Sequence, residues 1–266
     1  MKQVSSAFLF GFFIISLTGA GCHYKTSFDF SRSITSTVSL LDAKHEHTAT
    51  SPRVFEVKTI SEEKPFYRIN INYPAIGQKT IDAAIEEFVT KSARAFRETK
   101  PARGQSWTNE EELSYEIAGY SDKFISLGFF EYSFTGGAHP NSYVTTFLFD
   151  RQTGRKLFLK DIFKSKSKYL QAISEISIKK LSEDIPDGAK DWIRDGAGLK
   201  EENFKAFTLS SDRITIYFNV YQVAAYAAGM QVVEIPYEEL STILQPEILI
   251  ELKKLQFEAH MDDPQN

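Results

Sequence analysis

The side chains able to do chemistry fall into three groups. His139 lies in the run Gly136-Gly137-Ala138-His139-Pro140-Asn141, while the other histidines, His23, His45, His47 and His260, stand near the two ends of the chain. An imidazole can act as a base, a metal ligand or a hydrogen-bonding group in a binding loop. No neighbouring pattern supplies companion ligands or a nucleophile, so neither a metal nor a cofactor is expected. Two roles remain open for His139: with Asn141 it recognises a ligand, or it caps a tight turn that Gly136 and Gly137 allow. The second group is aromatic. Tyr217, Tyr221 and Tyr226 surround Gln222, and Trp107 and Trp192 stand in polar inserts. Rings beside amides suit sugars or protein surfaces, and burial in the core is the competing fate of the tyrosines. The third group is acidic: Glu110, Glu111, Glu112, Glu131 and Asp150. Hydrolysis of a glycoside needs two carboxyls at a set separation across a cleft. The run Glu110, Glu111, Glu112 reads as a solvated loop. The chain has no G-x-S-x-G elbow, phosphate loop or H-E-x-x-H pattern.

Cys22 is the one cysteine of the 266 residues, which excludes an internal disulfide and a thiolate cluster. It follows Lys2, the apolar stretch AFLFGFFIISL and the small residues TGAG. This order reads as an export signal, and TGAGC resembles a bacterial lipobox, with Gly19 where leucine is commoner. The expected product carries lipid, such as palmitate, on Cys22 and is held on a membrane in the cell envelope. Several acyl chains anchor firmly, since each buried methylene contributes about 0.8 kcal/mol. The alternative is a cut after Gly21 that releases a free thiol.

Residues 23–52 are rich in Ser and Thr and read as a tether, with 34–41 as a candidate edge strand. From Arg53 the pattern changes. Alternation predicts strands over 54–60 and 67–73, followed by an amphipathic helix with Ile81, Ile85, Phe88, Ser92 and Phe96 inward, closed by Pro101. A polar insert over 104–112 precedes strands over 113–120, 124–134, 143–149 and 156–159, joined by connections too short for parallel crossovers. A second helix is expected from Ser165 or Ser167, with Leu170, Ile173, Ile176 and Leu181 inward, broken over 186–198 by Gly and Pro. Strands over 204–209, 214–218 and 231–235, a short helix near Tyr237 and a polar tail after Asp262 complete the chain. The fold class is α+β: antiparallel sheet or sheets with helices on one side, in two strand-strand-helix subdomains.

The stretches FTGGAHPNSYVTTFLFDRQTGRKLFLKDIF (134–163) and FTLSSDRITIYFNVYQVAAYAAGMQVVEIPYEEL (207–240) carry a family resemblance. Together they resemble the paired extracellular domains of the lysozyme-sensing anti-sigma factor RsiV, also found ahead of the catalytic domain of the peptidoglycan deacetylase PdaC. The resemblance runs from about Arg53 to Leu244 and implies a PdaC-like part over 53–163 and an RsiV-like part over 164–245, with 246–266 as a C-terminal segment. Only Met1 to Ser6 precede the apolar stretch, so sigma-factor binding is not expected. Only 22 residues follow Leu244, so deacetylation is not expected either.

The formal charge of −4 and the lack of a basic run exclude nucleic acid as an expected partner. The expected function is a non-catalytic, lipid-anchored envelope module that recognises a cell-wall glycan (peptidoglycan) or an envelope protein such as lysozyme. Its candidate ligand-binding residues are His139, Asn141, Tyr221, Tyr226, Trp107 and Trp192. The rivals are a glycan hydrolase working through a carboxylate pair and a structural lipoprotein of an envelope assembly.

Overall fold

A computed structural model of the chain describes residues 55–100, 104–185 and 189–255. The apolar leader, Cys22, the tether with its candidate strand, Pro101, Pro186 and the polar tail lie outside the described residues. No helix among the described residues is long and apolar enough to cross a membrane.

Alternating residues form the hairpin β1 (Glu56–Lys64) and β2 (Tyr67–Ala75). Helix α1 (Lys79–Arg97) follows, its start fixed by the Gln78 side chain, which accepts from the Ile81 amide at 2.9 Å. Asp82 accepts from the amides of Ile76 and Gly77 and ties the entering chain to the first turn. The buried stripe of α1 is Ile81, Ile85, Val89, Ala93 and Phe96. Phe88 and Ser92 are half-buried at its margin, because the stripe steps by four from Ile85 to Val89 and Ala93 before the step of three to Phe96.

Helix α1 is a crossover, and it returns the chain so that β3 (Asn109–Tyr120) runs parallel to β2. This is the one departure from antiparallel pairing in the described sheets, and the helix supplies the length that a parallel connection needs. Strands β4 (Phe124–Phe134), β5 (Asn141–Asp150) and β6 (Lys156–Leu157) then add antiparallel, giving the order β1-β2-β3-β4-β5-β6. Odd-numbered residues of β4 and β5, such as Leu127, Phe129 and Phe147, face α1 and form the first core with Ile69, Ile71 and Leu113.

A 3-10 turn (Leu159–Ile162) leads to α2 (Tyr169–Asp184) and α3 (Lys190–Gly196). Ile173 and Leu181 of α2 are buried, whereas Leu170 and Ile176 are half-buried against the same cluster. The expected break over 186–198 therefore contains a short helix, which buries Ile193. The strand expected over 204–209 is divided into a 3-10 turn (Glu201–Phe204) and β7 (Phe207–Leu209). β7 pairs antiparallel with β8 (Arg213–Phe218), and β8 with β9 (Gln231–Pro236), as a three-stranded sheet. Helices α4 (Tyr237–Leu240) and α5 (Pro246–Leu252) close the described chain, and Leu252 of α5 belongs to the second core.

The even-numbered residues of β4 and β5 face this second half. Ser126 and Thr146 are buried there, and their hydroxyls accept the amides of Leu209 at 2.8 Å and Phe207 at 2.9 Å. β7 thus finds hydrogen bonds on a sheet face instead of a strand edge, and the central strands are covered on both sides. The architecture is α+β, with a six-stranded and a three-stranded sheet.

Candidate functional site

The β4-β5 connection, Thr135 to Pro140, meets three of the aromatic residues picked out in the sequence, Trp107, Tyr221 and Tyr226. Gly136 and Gly137 have φ of 96° and 108°, a region that side-chain-bearing residues avoid. A Cβ on Gly136 would also collide with the Trp107 indole, so the glycine admits both the turn and the ring. Trp107 is held by its Nε1, which donates to Asn109 Oδ1 at 3.2 Å. Next along the loop, the His139 imidazole stacks on Tyr226, with centroids 3.6 Å apart and planes at 19°. The Tyr226 hydroxyl donates to the Pro140 carbonyl at 2.7 Å, and His139 Nδ1 lies 3.0 Å from the same oxygen. His139 Nε2 is 3.4 Å from the Tyr221 hydroxyl, a long contact. Asn141 opens β5 opposite Ser133 and directly follows the tethered proline.

The β8-β9 loop brings Tyr221 and Tyr226 to this point, and its own anchoring explains how. Asn219 caps the unpaired edge of β5: its Oδ1 accepts the Val144 amide at 2.7 Å and its Nδ2 donates to the Val144 carbonyl at 3.3 Å. Gln222 Nε2 donates to the carbonyls of Gly196 at 3.0 Å and Asn203 at 2.9 Å. Tyr221, between these anchors, has φ of 66°, and its carbonyl accepts Trp192 Nε1 at 2.8 Å. A left-handed backbone at a tyrosine costs about 1 kcal/mol and persists because both sides are pinned. Tyr221 and Trp192 remain 48% and 41% exposed, and the Tyr221 ring lies with its centroid 5.7 Å from that of Tyr226.

Tyr217 takes the other course open to it. It is buried against Phe130, and burial pushes its phenol up to about 12. The run Glu110, Glu111, Glu112 is also corrected: it belongs to β3, not to a loop. Parallel pairing with β2 draws it in, and Arg68 meets Glu110 at 3.1 Å across that pair. Glu111 points towards α1, is only 2% exposed and accepts from Ser92 at 2.9 Å. Burial, with the neighbouring Glu131 adding and Ser92 opposing, pushes its carboxyl up to about 8. Burial raises Glu131 as well. On the opposite face of β3 and β4, Glu112 stands across from Tyr132 and Glu110 across from Phe134, and burial raises the Tyr132 phenol, with Glu110, Glu112 and Tyr226 adding to it.

Reading the sequence missed Asn219 and set Glu111 in a solvated loop instead of a buried strand position. Asn219 carries no signal until the unpaired edge of β5 is known. Glu111 does carry one, since Asn-Glu-Glu-Glu joins directly to an alternating strand. Among the described residues no group of three or more His, Cys, Asp or Glu is arranged to hold a metal ion.

Two family models match the chain: Deacetylase PdaC over residues 60–142, and Protein of unknown function (DUF3298) over residues 160–238. Peptidoglycan-N-acetylmuramic acid deacetylase PdaC of Bacillus subtilis is 32% identical over 202 residues, 74% of this chain and 43% of that protein. The chain thus spans less than half the length of this relative. Immunogenic protein MPT64 of Mycobacterium tuberculosis is 23% identical over 187 residues, 70% of this chain and 81% of that protein. A solved DUF3298 family structure from Bacteroides fragilis superposes with a TM-score of 0.54 at 21% identity, covering 75% of this chain and 97% of that one. That last likeness concerns the fold.

Proposed function

The chain is related to PdaC, and from that premise we propose that it is a non-catalytic envelope module, lipid-anchored through Cys22, which recognises peptidoglycan glycan. The observation that carries the reading is the aromatic cluster. The His139-Tyr226 stack fixes a rigid base, and the exposed rings of Tyr221 and Trp192 flank it. Rigid rings with hydroxyl and imidazole groups at their edges suit a sugar, which offers apolar C–H faces and polar rims. Little conformational freedom is lost on binding, because the loop is already tied at Pro140, Asn219 and Gln222. The nearby Glu110 and Glu112 add acceptors for sugar hydroxyls or amino groups. A cationic envelope protein such as a lysozyme would meet the same acidic, aromatic surface and is the partner to test beside the glycan.

Hydrolysis through a carboxylate pair is the second reading, and Glu111 with Glu131 is the observation in its favour. Glu111 lies beneath Ser92 of α1, out of reach of a glycosidic oxygen, so binding is the stronger reading. Co-sedimentation of the full chain with purified peptidoglycan, and capture on immobilised lysozyme, test the module. Retention at micromolar protein that is lost in a Tyr221→Ala/Trp192→Ala variant is expected, and release of soluble sugars would favour hydrolysis. For the anchor, a fatty-acid label present on the parent and absent from Cys22→Ser is expected, and an unlabelled parent would end that part of the proposal.

A further inference from the structure

At the opposite end of β4 and β5 from the His139 loop, roughly 30 Å away by strand length, lies a second concavity. It has a volume of about 570 Å³ and is lined by Lys123, Arg155, Lys160, Lys164 and Lys166. Asp150 and Asp161 also line it, and both are engaged in their own turns. Asp150 accepts the amides of Gln152 and Thr153, while Asp161 accepts the Phe158 amide and faces Arg155 at 3.8 Å. None of the four lysines forms an ion pair among the described residues. On a chain of net charge −4, this is a local concentration of positive charge.

Three further features adjoin the concavity. Helix α2 starts beside the concavity, since Ser167 and Tyr169 both line it, and its N-terminus has no side-chain cap and no acidic residue in the first turn. The uncapped amides and the aligned peptide dipoles favour an anion there. Ser167 Oγ is shielded from solvent and has no hydrogen-bond partner among the described residues, a cost of about 1–3 kcal/mol that a ligand oxygen would relieve. Lys166, just before it, has φ of 64°, a left-handed conformation that is unfavourable for lysine.

We propose that this concavity binds a phosphoryl group, with Lys160 and Lys166 neutralising its charge and Ser167 Oγ and the α2 amides donating to its oxygens. Ammonium groups and backbone amides bordering one concavity suit a tetrahedral anion. A carboxylate would favour the planar fork of an arginine, and Arg155 is turned to Asp161. The group could arrive as soluble phosphate or as a phospholipid headgroup, and the chemistry at the site is the same. This site shares no residue with the aromatic cluster, so its fate and that of the binding module are separable.

The test is calorimetric titration of the full chain with inorganic phosphate at low ionic strength, with acetate as the comparison anion. Saturable phosphate binding is expected, tighter than acetate, weakened about tenfold or more in Lys160→Ala/Lys166→Ala and several-fold in Ser167→Ala. The melting temperature of Ser167→Ala should be unchanged or higher, which separates lost binding from lost folding. Flotation with phosphatidylglycerol and phosphatidylcholine vesicles assigns the source. A preference for phosphatidylglycerol that the double variant loses assigns the headgroup, and phosphate binding without that preference assigns a soluble ligand. Phosphate binding no tighter than acetate, or unchanged in both variants, overturns the proposal.

Discussion

The His139 imidazole lies on the Tyr226 ring at a centroid distance of 3.6 Å, and the Pro140 carbonyl joins the two residues a second time. They are 87 positions apart in sequence, so the stack clamps the β4-β5 loop of one half to the β8-β9 loop of the other. It is both a fastening between the halves and the floor of the proposed binding surface.

Tyr226→Phe keeps the ring and removes the 2.7 Å hydrogen bond to Pro140. A loss of about 0.5–1.5 kcal/mol in denaturant unfolding is expected, with ligand binding retained. Tyr226→Ala also removes the stack, and glycan binding should weaken by about tenfold or more. Equal binding by Tyr226→Ala and the parent would contradict a recognition role for the ring.

Asn219→Ala uncovers the amide and carbonyl of Val144 at the edge of β5. Destabilisation of about 1–3 kcal/mol is expected. Hydrogen exchange at the Val144 amide should rise well beyond that expected from the global change. Unaltered protection at Val144 would show that the cap is dispensable.

Thr146→Val preserves shape and removes the hydroxyl that accepts the Phe207 amide on the buried sheet face. We expect a loss of about 1–3 kcal/mol, additive with the loss from Asn219→Ala to within about 0.5 kcal/mol if the two fastenings act independently. A stability equal to the parent's would mean that β7 satisfies its amide elsewhere.

Glu111 sets a pH dependence. Its folded carboxyl is raised to about 8 from an ordinary value of 4.5, chiefly by burial. Between these values the folded chain holds a proton that the unfolded chain has released, so stability falls as pH rises through the window and is highest below it. Glu111→Gln should flatten that slope and raise stability at pH 8–9 by about 1–3 kcal/mol. An unchanged slope in the variant would show that another group is responsible.

How much of this was legible in the chain depends on where each residue's partner lies. Strand β4 was read to its ends, because Phe124–Phe134 is bounded by a polar turn and a glycine pair. β3 was read four residues short, because Asn109 to Glu112 hides a strand whose charges find Arg68 and Ser92 only after α1 brings β3 alongside β2. Helix α3 was concealed by Pro186 and the glycines around it, and α5 by its brevity. The aromatic residues could be named from their types and loop positions. Their convergence could not, since it rests on Asn219 and Gln222 gripping backbone far away in sequence.

The most direct test of the central claim is equilibrium binding of the full chain to purified peptidoglycan fragments, measured beside Tyr221→Ala/Trp192→Ala with both proteins shown to melt alike. The account predicts micromolar binding by the parent and a loss of about tenfold or more in the variant. No binding by the parent, or equal binding by the two, would contradict it.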